Sequence, residues 1–153
     1  MITIRKSPNA DSRTADPAAG KEELLESTTS HIADVEEGLR FLAELIKDRG
    51  PQHDHTKTEM LDEFYEALKS GHIKDTVWYN HHITAERHHL KSHVPQDVNL
   101  IDVIEHIVDC SMAGMARSGE IYDTDIDPNV LQLAVQNTVK LIQMNTRVLD
   151  ESE

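Results

Sequence analysis

Residues 98–117 read VNLIDVIEHIVDCSMAGMAR, and the spacing of their apolar side chains decides the fold class. The apolar residues recur every three or four positions, which is the period of an α-helix with one buried face. They are Ile101, Ile104, Ile107, Val108, Met112 and Met115. Asp102, His106 and Asp109 form a second row beside this apolar stripe. The stretch therefore predicts an amphipathic helix with ionisable side chains along the edge of the core.

Four further segments show the same periodicity, so we predict an all-α, single-domain bundle of about five helices. The predicted helices cover residues 21–48, 57–68, 75–92, 98–117 and 129–149. The pair Gly50-Pro51 is expected to end the first helix, and Asp127-Pro128 is a typical start for the last. Aromatic residues are only 4% of the chain, which favours helices packed on helices over a β-sandwich.

The helical domain is predicted to span residues 21–149, between two polar ends. Residues 1–20 carry scattered Pro, Gly, Ser, Asp and Asn and are expected to form a mobile arm. Residues 150–153 are expected to form a solvated acidic tail. The first helix is expected to turn one apolar stripe inward, namely Ile32, Val35, Leu39, Leu42, Leu45 and Ile46.

A formal net charge of −13 restricts the classes of partner. A field of this sign repels phosphate backbones, so duplex nucleic-acid binding is not expected, whereas bound divalent cations would offset part of the charge. The single cysteine, Cys110, excludes an intramolecular disulfide. No apolar run approaches the ~18 residues of a membrane helix, and the N-terminus lacks the apolar region of a signal peptide. We therefore expect a cytoplasmic protein without a membrane partner.

Half of the ten histidines lie in residues 78–93, WYNHHITAERHHLKSH. Helix propensity does not explain this enrichment, so the segment either binds a ligand or forms a surface that charges at low pH. Potential metal ligands recur on different predicted helices or at their ends. They are His31, His53, Asp54, His82, His88, His89 and Asp109. Imidazole with carboxylate suits Mn, Fe, Co, Ni or Zn better than Ca, and converging helices can project such groups into one cavity. In a continuous helix, His82, Glu86 and His89 would share one face.

The adjacent pair His53-Asp54 resembles the signature of the HD superfamily of helical metal-dependent phosphohydrolases. The sequence HDHTK at 53–57 is similar to the HDxxK motif of its cyclic-dinucleotide phosphodiesterase branch. The chain is short for that branch and lacks its glycine-tyrosine-proline motif, so the cyclic-dinucleotide substrate is not implied. Residues 82–89 and 100–109 look like an uncharacterised HD-like family of bacteria and phages. The resemblance covers about residues 28–118 and implies a metal-dependent enzyme.

The resemblance also implies a role for each matching residue. The implied metal ligands are His31, His53, Asp54, His82, Asp109 and one or both of the adjacent His88 and His89. Asp54 would lie between two ions, one of them completed by His31 and Asp109. Lys57 would direct its ammonium group at a substrate phosphate, which makes Lys57 and Asp54 the expected catalytic residues. The implied cofactor is one or two divalent ions of Mn, Fe, Co, Ni or Zn, with Mg as a further candidate.

Each candidate residue also has a purely structural interpretation. Asp54 is suited to cap the second helix, and His106 lies one turn before Asp109 and could support it. Isolated histidines are more often surface residues or satisfied core residues than ligands, which is our expectation for His55, His72 and His93. The acidic residues expected at the surface are Glu86, Asp102 and Glu105.

Three functions are consistent with these residues. The first is a metal-dependent phosphohydrolase acting on a nucleotide or another small phosphate ester, with Lys57 favouring phosphate. The second is an HD-type di-iron oxygenase, because the same ligand set serves both chemistries in the superfamily. The third is a non-catalytic metal-binding or interaction protein with a pH-sensitive histidine surface. A homo-oligomer is compatible with all three, and the location is the host cytoplasm if the chain is phage-encoded.

Overall fold

The computed structural model describes residues 1–6 and 16–150, and over these residues the chain is predominantly helical. The helices are α1 (Lys21–Gln52), α2 (His55–Glu59), α3 (Leu61–Lys69), α4 (Val77–Ala85), α5 (Leu100–Arg117) and α6 (Pro128–Met144). A single 3₁₀ turn, Ile73–Asp75, precedes α4. The predicted all-α class is confirmed. Within these residues no helix is both long enough and apolar enough to cross a membrane.

The chain divides into two units, which are described separately. The first contains residues 1–44 and the chain from Val139 onward, and the second contains residues 45–138. The first unit holds two short parallel strands, β1 (Ile2–Arg5) and β2 (Thr146–Leu149), with Ile2 opposite Thr146. The side chain of Ile2 is buried.

The two strands differ from the sequence prediction at both ends of the chain. The proposed mobile arm, residues 1–20, contains β1, and the last predicted helix ends at Met144 so that β2 can form. Four-residue strands are too short for alternation to reveal them, because their stability comes from pairing between distant segments. Residues 7–15 of the proposed arm and residues 151–153 of the proposed tail lie outside the described part of the chain.

The sequence predicted that the apolar stripe of α1 points inward along its whole length. The structure shows this only in part. Ile32 and Leu39 are each 62% exposed, and Val35 is exposed as well. Leu42 and Leu45, further along the helix, are half-buried. Periodicity identifies an apolar face of a helix, but it does not show whether another segment of the chain covers that face.

The core of the second unit lies where the chain after α4 packs on α5 and α6. Its buried apolar residues are Leu90, Val98, Val103 and Ala134. Thr138 fixes the approach of α5, because its hydroxyl oxygen accepts a hydrogen bond from the backbone N–H of Leu100 at 2.9 Å. Asn99 and Asp102 form a reciprocal capping box at the start of α5. This core holds the first turns of α5 against the loop that follows α4.

Several helix boundaries differ from the predicted ones for identifiable reasons. α1 continues through Gly50-Pro51 to Gln52, since a proline in the last turn removes only one helical hydrogen bond. Met60 leaves helical geometry and separates α2 from α3. α4 ends at Ala85, so the following residues, 86–93, are not helical. The predicted start of α6 is confirmed, because the Asp127 carboxylate accepts a hydrogen bond from the backbone N–H of Asn129 at 2.7 Å.

Candidate metal centre

Four segments of the second unit bring histidines and carboxylates together. The connection between α1 and α2 supplies His53 and Asp54, and α4 supplies His82. The turn after α4 supplies His88 and His89. α5 supplies Glu105 and Asp109. Three overlapping groups are close enough to hold a metal ion: His53 with His88 and Glu105, Asp54 with His88 and His89, and Asp54 with His82 and Glu86.

Asp54 lies at the centre of this arrangement. Its backbone is left-handed, with φ 55° and ψ 25°, which is the only positive φ at a non-glycine residue in the described chain. Its Oδ1 atom lies 3.6 Å from His82 Nε2 and 3.7 Å from His88 Nε2. Its Oδ2 atom lies 3.5 Å from His53 Nε2 and contacts the ammonium group of Lys57. The carboxylate therefore presents one oxygen to His82 and His88 and the other oxygen to His53.

These separations fit ligands around an ion better than they fit hydrogen bonds. With metal–ligand bonds of about 2.1 Å, two donor atoms on one ion are roughly 3.0–3.5 Å apart. Among the described residues, Asp54 Oδ1 and both ring nitrogens of His88 are buried without a hydrogen-bond partner. His88 is 1% exposed, so water does not satisfy these atoms at the surface. A cation among them would supply the missing partner.

A hydrogen-bond relay orients His82. The Thr56 hydroxyl lies 2.7 Å from both His82 Nδ1 and Glu86 Oε1. Because the hydroxyl donates its one proton to the carboxylate, it accepts from Nδ1–H of His82. Nε2 of His82 then carries the free lone pair and faces Asp54. Burial lowers the pKa of His82, which keeps the imidazole neutral.

Glu86 is held as a carboxylate in this relay. Burial by itself would raise its pKa, but hydrogen bonds from the hydroxyl and backbone N–H of Thr56 outweigh burial and lower the pKa. The ring of Trp78 stacks on His82, with ring centres 4.8 Å apart. The relay and the stacked ring together fix the imidazole of His82 in one orientation.

Glu105 performs the corresponding role for His53 and His88. Its Oε1 atom accepts a hydrogen bond from His53 Nδ1 at 3.1 Å. His88 Nδ1 lies 3.2 Å from the same oxygen but outside hydrogen-bonding alignment. Burial would raise the pKa of Glu105, yet the contacts with His53 and His88 prevail and hold it at about 2. Both rings therefore point Nε2 away from Glu105.

Asp109 lies on the far side of the same two rings. Its Oδ1 atom is 3.5 Å from His53 Nε2, and its Oδ2 atom is 3.9 Å from His88 Nε2. Asp109 and then Glu105 raise the pKa of His53 to about 10. In the metal-free protein His53 is therefore a cation surrounded by carboxylates.

His88 and His89 both face the centre, although the sequence left open which one would. The helix has ended before them, so the 100° rotation between adjacent helical residues does not apply. His89 Nε2 lies 2.8 Å from His82 Nε2. Burial, followed by the neighbouring His88 and His82, lowers the pKa of His89 to about 4. His89 is accordingly a second neutral imidazole beside His82.

Two predicted ligands, His31 and Asp109, belong to none of the three possible metal-binding groups among the described residues. His31 lies on α1 in the first unit, whereas Asp109 lies beside His53 and His88. Lys57, proposed from the HDxxK motif, does lie at the centre through its contact with Asp54. Asp54 does occupy the N-cap position of α2, as its structural interpretation expected, but its side chain accepts no capping hydrogen bond. The outward histidines, as expected, include the exposed His72 and His93.

Three acidic residues assigned to the surface were placed wrongly. Glu86 and Asp102 are buried, and the Glu105 side chain is only 10% exposed. Asp102 is paired with Arg87, whose Nε and Nη2 atoms each donate to it at 2.8 Å. The signal for Glu86 was its spacing from His82, and the two side chains do lie together, since Glu86 caps α4 and its backbone N–H donates to the carbonyl oxygen of His82 at 2.9 Å. His106 is buried and bonded through Nδ1 to the carbonyl oxygen of His88, as a supporting residue.

Comparison with known proteins does not assign a family. No family model matches the chain, and neither does a curated protein or a solved structure. The resemblance to the HD superfamily therefore remains a prediction from the sequence motifs. The possible metal centre rests on the geometry of its own side chains.

Proposed function

We propose that the chain is a metal-dependent phosphohydrolase of HD type, acting on a nucleotide or another small phosphate ester. The observation that carries this proposal is the position of Asp54 between two sets of imidazoles. One carboxylate oxygen faces His82 and His88, and the other faces His53, all at 3.5–3.7 Å. Buried atoms without partners at Asp54 and His88 add an independent reason to place a cation there.

The side chains divide into holders for one or two ions. His53, Asp54 and Asp109 would hold one ion. Asp54, with His82, His88 and His89, would hold the other. A set this rich in imidazole favours Mn, Fe, Co, Ni or Zn, while Mg prefers oxygen ligands and is the weaker candidate. When bound, a divalent ion supplies Lewis-acid chemistry that acidifies water and neutralises charge on a phosphate.

Lys57 supports phosphate as the reacting group. Its ammonium contacts Asp54 Oδ2, the oxygen that faces His53. When this oxygen binds a cation, its interaction with Lys57 weakens and the ammonium group can pair with an incoming anion. The chain carries a formal net charge of −13, so an anionic substrate depends on such local positive charge. Lys57 would bind and orient the phosphate.

The second candidate function is the HD-type di-iron oxygenase. The number of imidazoles favours it, because four neutral or neutralisable histidines around one or two carboxylates also suit iron. The two functions share every ligand and differ in the metal and the second substrate. Metal identity and the requirement for O₂ therefore separate them.

Elemental mass spectrometry of untagged protein tests the metal centre. We expect at least one transition-metal ion per chain after loading with Mn, Fe or Co. Asp54→Asn and His88→Ala each remove a ligand and should weaken metal binding by more than about 100-fold, since loss of a group that only supports a ligand costs about 10–100-fold. His93→Ala is the matched control, since this exposed histidine lies in the same segment and should leave binding unchanged. Less than about half an ion per chain in the loaded wild type would contradict the proposal.

A turnover assay then separates the two enzymes. Phosphate release from nucleotides by Mn- or Co-loaded protein, without O₂, supports the hydrolase. Lys57→Ala should raise KM for the phosphate ester without removing metal, because the ammonium group contacts substrate. O₂ consumption by the iron form with no phosphate release supports the oxygenase instead.

A further inference from the structure

A cavity of about 290 Å³ opens beside the metal centre, entirely within the second unit. Most of its wall is apolar and comes from α1 and α5. The apolar wall consists of Ile46, Ile101, Ile104, Val108 and Met112. Val108 is 51% exposed and Met112 is 57% exposed, so the cavity presents apolar surface that no described side chain covers. Such surface beside a reactive centre is typical of a ligand-binding site.

The polar end of this cavity is the metal centre itself. His53, Glu105 and Asp109 line it together with Arg49. Arg49 is loosely held, because its Nη2 atom is 3.4 Å from Asp102 Oδ1 and its Nε atom is 4.0 Å from Glu105 Oε2. The closer partner of Asp102 is Arg87, at 2.8 Å. A molecule in the cavity therefore meets charged side chains on one part of the wall, at Arg49, His53, Glu105 and Asp109, and apolar side chains on the rest.

This distribution of polarity indicates the shape of the substrate. A sugar or polyphosphate filling the cavity would leave its hydroxyl or charged groups against Ile104, Val108 and Met112, where they would lack partners. An aromatic ring or a short branched chain would instead bury apolar surface on both sides. The volume suits one ring system, since pockets for drug-sized ligands begin at about 300 Å³.

We infer that the substrate is a phosphate ester with one apolar group, an aromatic ring system or branched aliphatic chain, which occupies this cavity while its phosphate faces the metal centre. This inference rests on the proposed function for the phosphate end. The apolar end is argued from the cavity wall alone. The group next to the phosphate thus determines which ester binds.

Isothermal titration calorimetry with two non-hydrolysable phosphonates tests the inference. Metal-loaded full-length protein should bind 1-naphthylphosphonate at least about tenfold more tightly than methylphosphonate. Val108→Trp, which fills the cavity, should remove this preference, and its far-ultraviolet circular dichroism spectrum should match that of the wild type. Ile107→Trp is the matched control, because this adjacent residue is 43% exposed but does not line the cavity, and it should retain the preference.

The possible outcomes separate this inference from the proposed function. Equal affinity of the wild type for the two phosphonates, or binding of neither, overturns the inference. An equal loss of preference in both tryptophan variants, with a dimer in sedimentation velocity that both variants weaken, overturns it in favour of a second copy covering this face. A preserved naphthyl preference without turnover of any phosphate ester supports the apolar site and contradicts the phosphohydrolase. A Val108→Trp variant that is folded by circular dichroism and still prefers the naphthyl compound also overturns the inference.

Discussion

Two walls face Asp54, and each aims a histidine by a different means. On one wall, Glu86 acts on His82 through the hydroxyl of Thr56. On the other wall, Glu105 contacts the Nδ1 atoms of His53 and His88 directly. Both arrangements place a carboxylate behind an imidazole, which fixes the ring and makes Nε2 a better ligand. The comparison shows that a carboxylate lies behind the imidazoles on both walls, through a hydroxyl on one and in direct contact on the other.

The walls also differ in charge. His82 is neutral because burial lowers its pKa, whereas Asp109 and Glu105 raise the pKa of His53 to about 10. The His82 wall therefore already has the protonation state that a metal requires. On the other wall a proton on His53 supplies the positive charge that balances nearby carboxylates. The His82 wall is therefore in the protonation state that suits a bound metal ion, whereas the proton on His53 balances the carboxylates of the other wall.

The largest expected effect comes from the ion pair between Arg87 and Asp102, because Asp102 lies on α5, the helix that carries Glu105. Arg87→Ala leaves Asp102, which is fully buried, without its two shortest hydrogen bonds, and should lower the free energy of unfolding by about 3 kcal/mol. Urea denaturation measures this change. Arg40→Ala is the control, since Arg40 pairs with Glu36 at the surface and should cost no more than about 0.5 kcal/mol. Similar small losses in both variants would contradict the structural role of Arg87.

The next effect tests Glu105, the carboxylate that contacts His53 and His88 directly. Glu105→Gln keeps the shape of the side chain but removes the charge behind His53 and His88, and should weaken metal binding by about 100-fold. A competition assay with a fluorescent chelator measures the affinity. Glu120→Gln, at an exposed position after α5, should have no effect. A loss far above 100-fold would show that Glu105 is itself a ligand, and the comparison of two supporting carboxylates would fail.

A smaller effect is expected at the relay on the first wall. Thr56→Val removes the hydroxyl between Glu86 and His82 while preserving volume, and should weaken metal binding by about tenfold. The loss is smaller than at Glu105 because the stacked Trp78 still holds the ring of His82. Thr58→Val controls for the loss of a hydroxyl. Thr58 is exposed, and its hydroxyl donates a hydrogen bond to the backbone carbonyl oxygen of His55. An unchanged affinity in Thr56→Val would remove the relay from the comparison.

The smallest effect concerns the outer end of Arg87. Arg87 lowers the pKa of Asp97 through a hydrogen bond at 3.0 Å, but the Asp97 side chain is 79% exposed. Asp97→Asn should therefore cost only about 0.5 kcal/mol at pH 7. A lowered pKa stabilises the folded protein above the ordinary aspartate value of 3.8, so the cost should vanish as the pH falls below it.

Two checks accompany that measurement. Thermal or urea unfolding of Asp97→Asn at several pH values gives the profile. In an Arg87→Ala background the same substitution should cost nothing, because its partner is absent. A cost that persists at low pH, or that survives in this background, would assign Asp97 a role other than pairing with Arg87.

The sequence predicted the helical class because periodicity is a local property. The residues around 98–117 repeat every three or four positions, and α5 forms there. The start of α6 was equally clear, since Asp127-Pro128 satisfies the helix terminus within three residues. The strand Ile2–Arg5 was missed, because its partner lies more than 140 residues away and only pairing stabilises it.

The candidate ligands were easier to predict than their supports. Histidine and aspartate are common metal ligands, so a cluster of them in the sequence predicts a metal site. The structure places Asp54 beside both His53 and His82. Glu105 and Glu86 are ordinary surface residues in most proteins, and only tertiary structure shows that they lie behind imidazoles. His31 matched the order of a family motif, and it lies in the first unit and in none of the three possible metal-binding groups among the described residues.

The left-handed backbone of Asp54 has an energetic consequence of its own. A residue with a side chain at φ 55° is less stable there than glycine, by roughly 1 kcal/mol. Glycine at this position would ease folding, and it would leave His53, His82 and His88 with no common partner. The chain thus gives up some of its thermal resistance at the one position where a carboxylate can reach both walls. Backbone stability and the arrangement of the candidate metal centre oppose each other at this single residue, because a glycine that relaxed the backbone would remove the carboxylate that faces both walls.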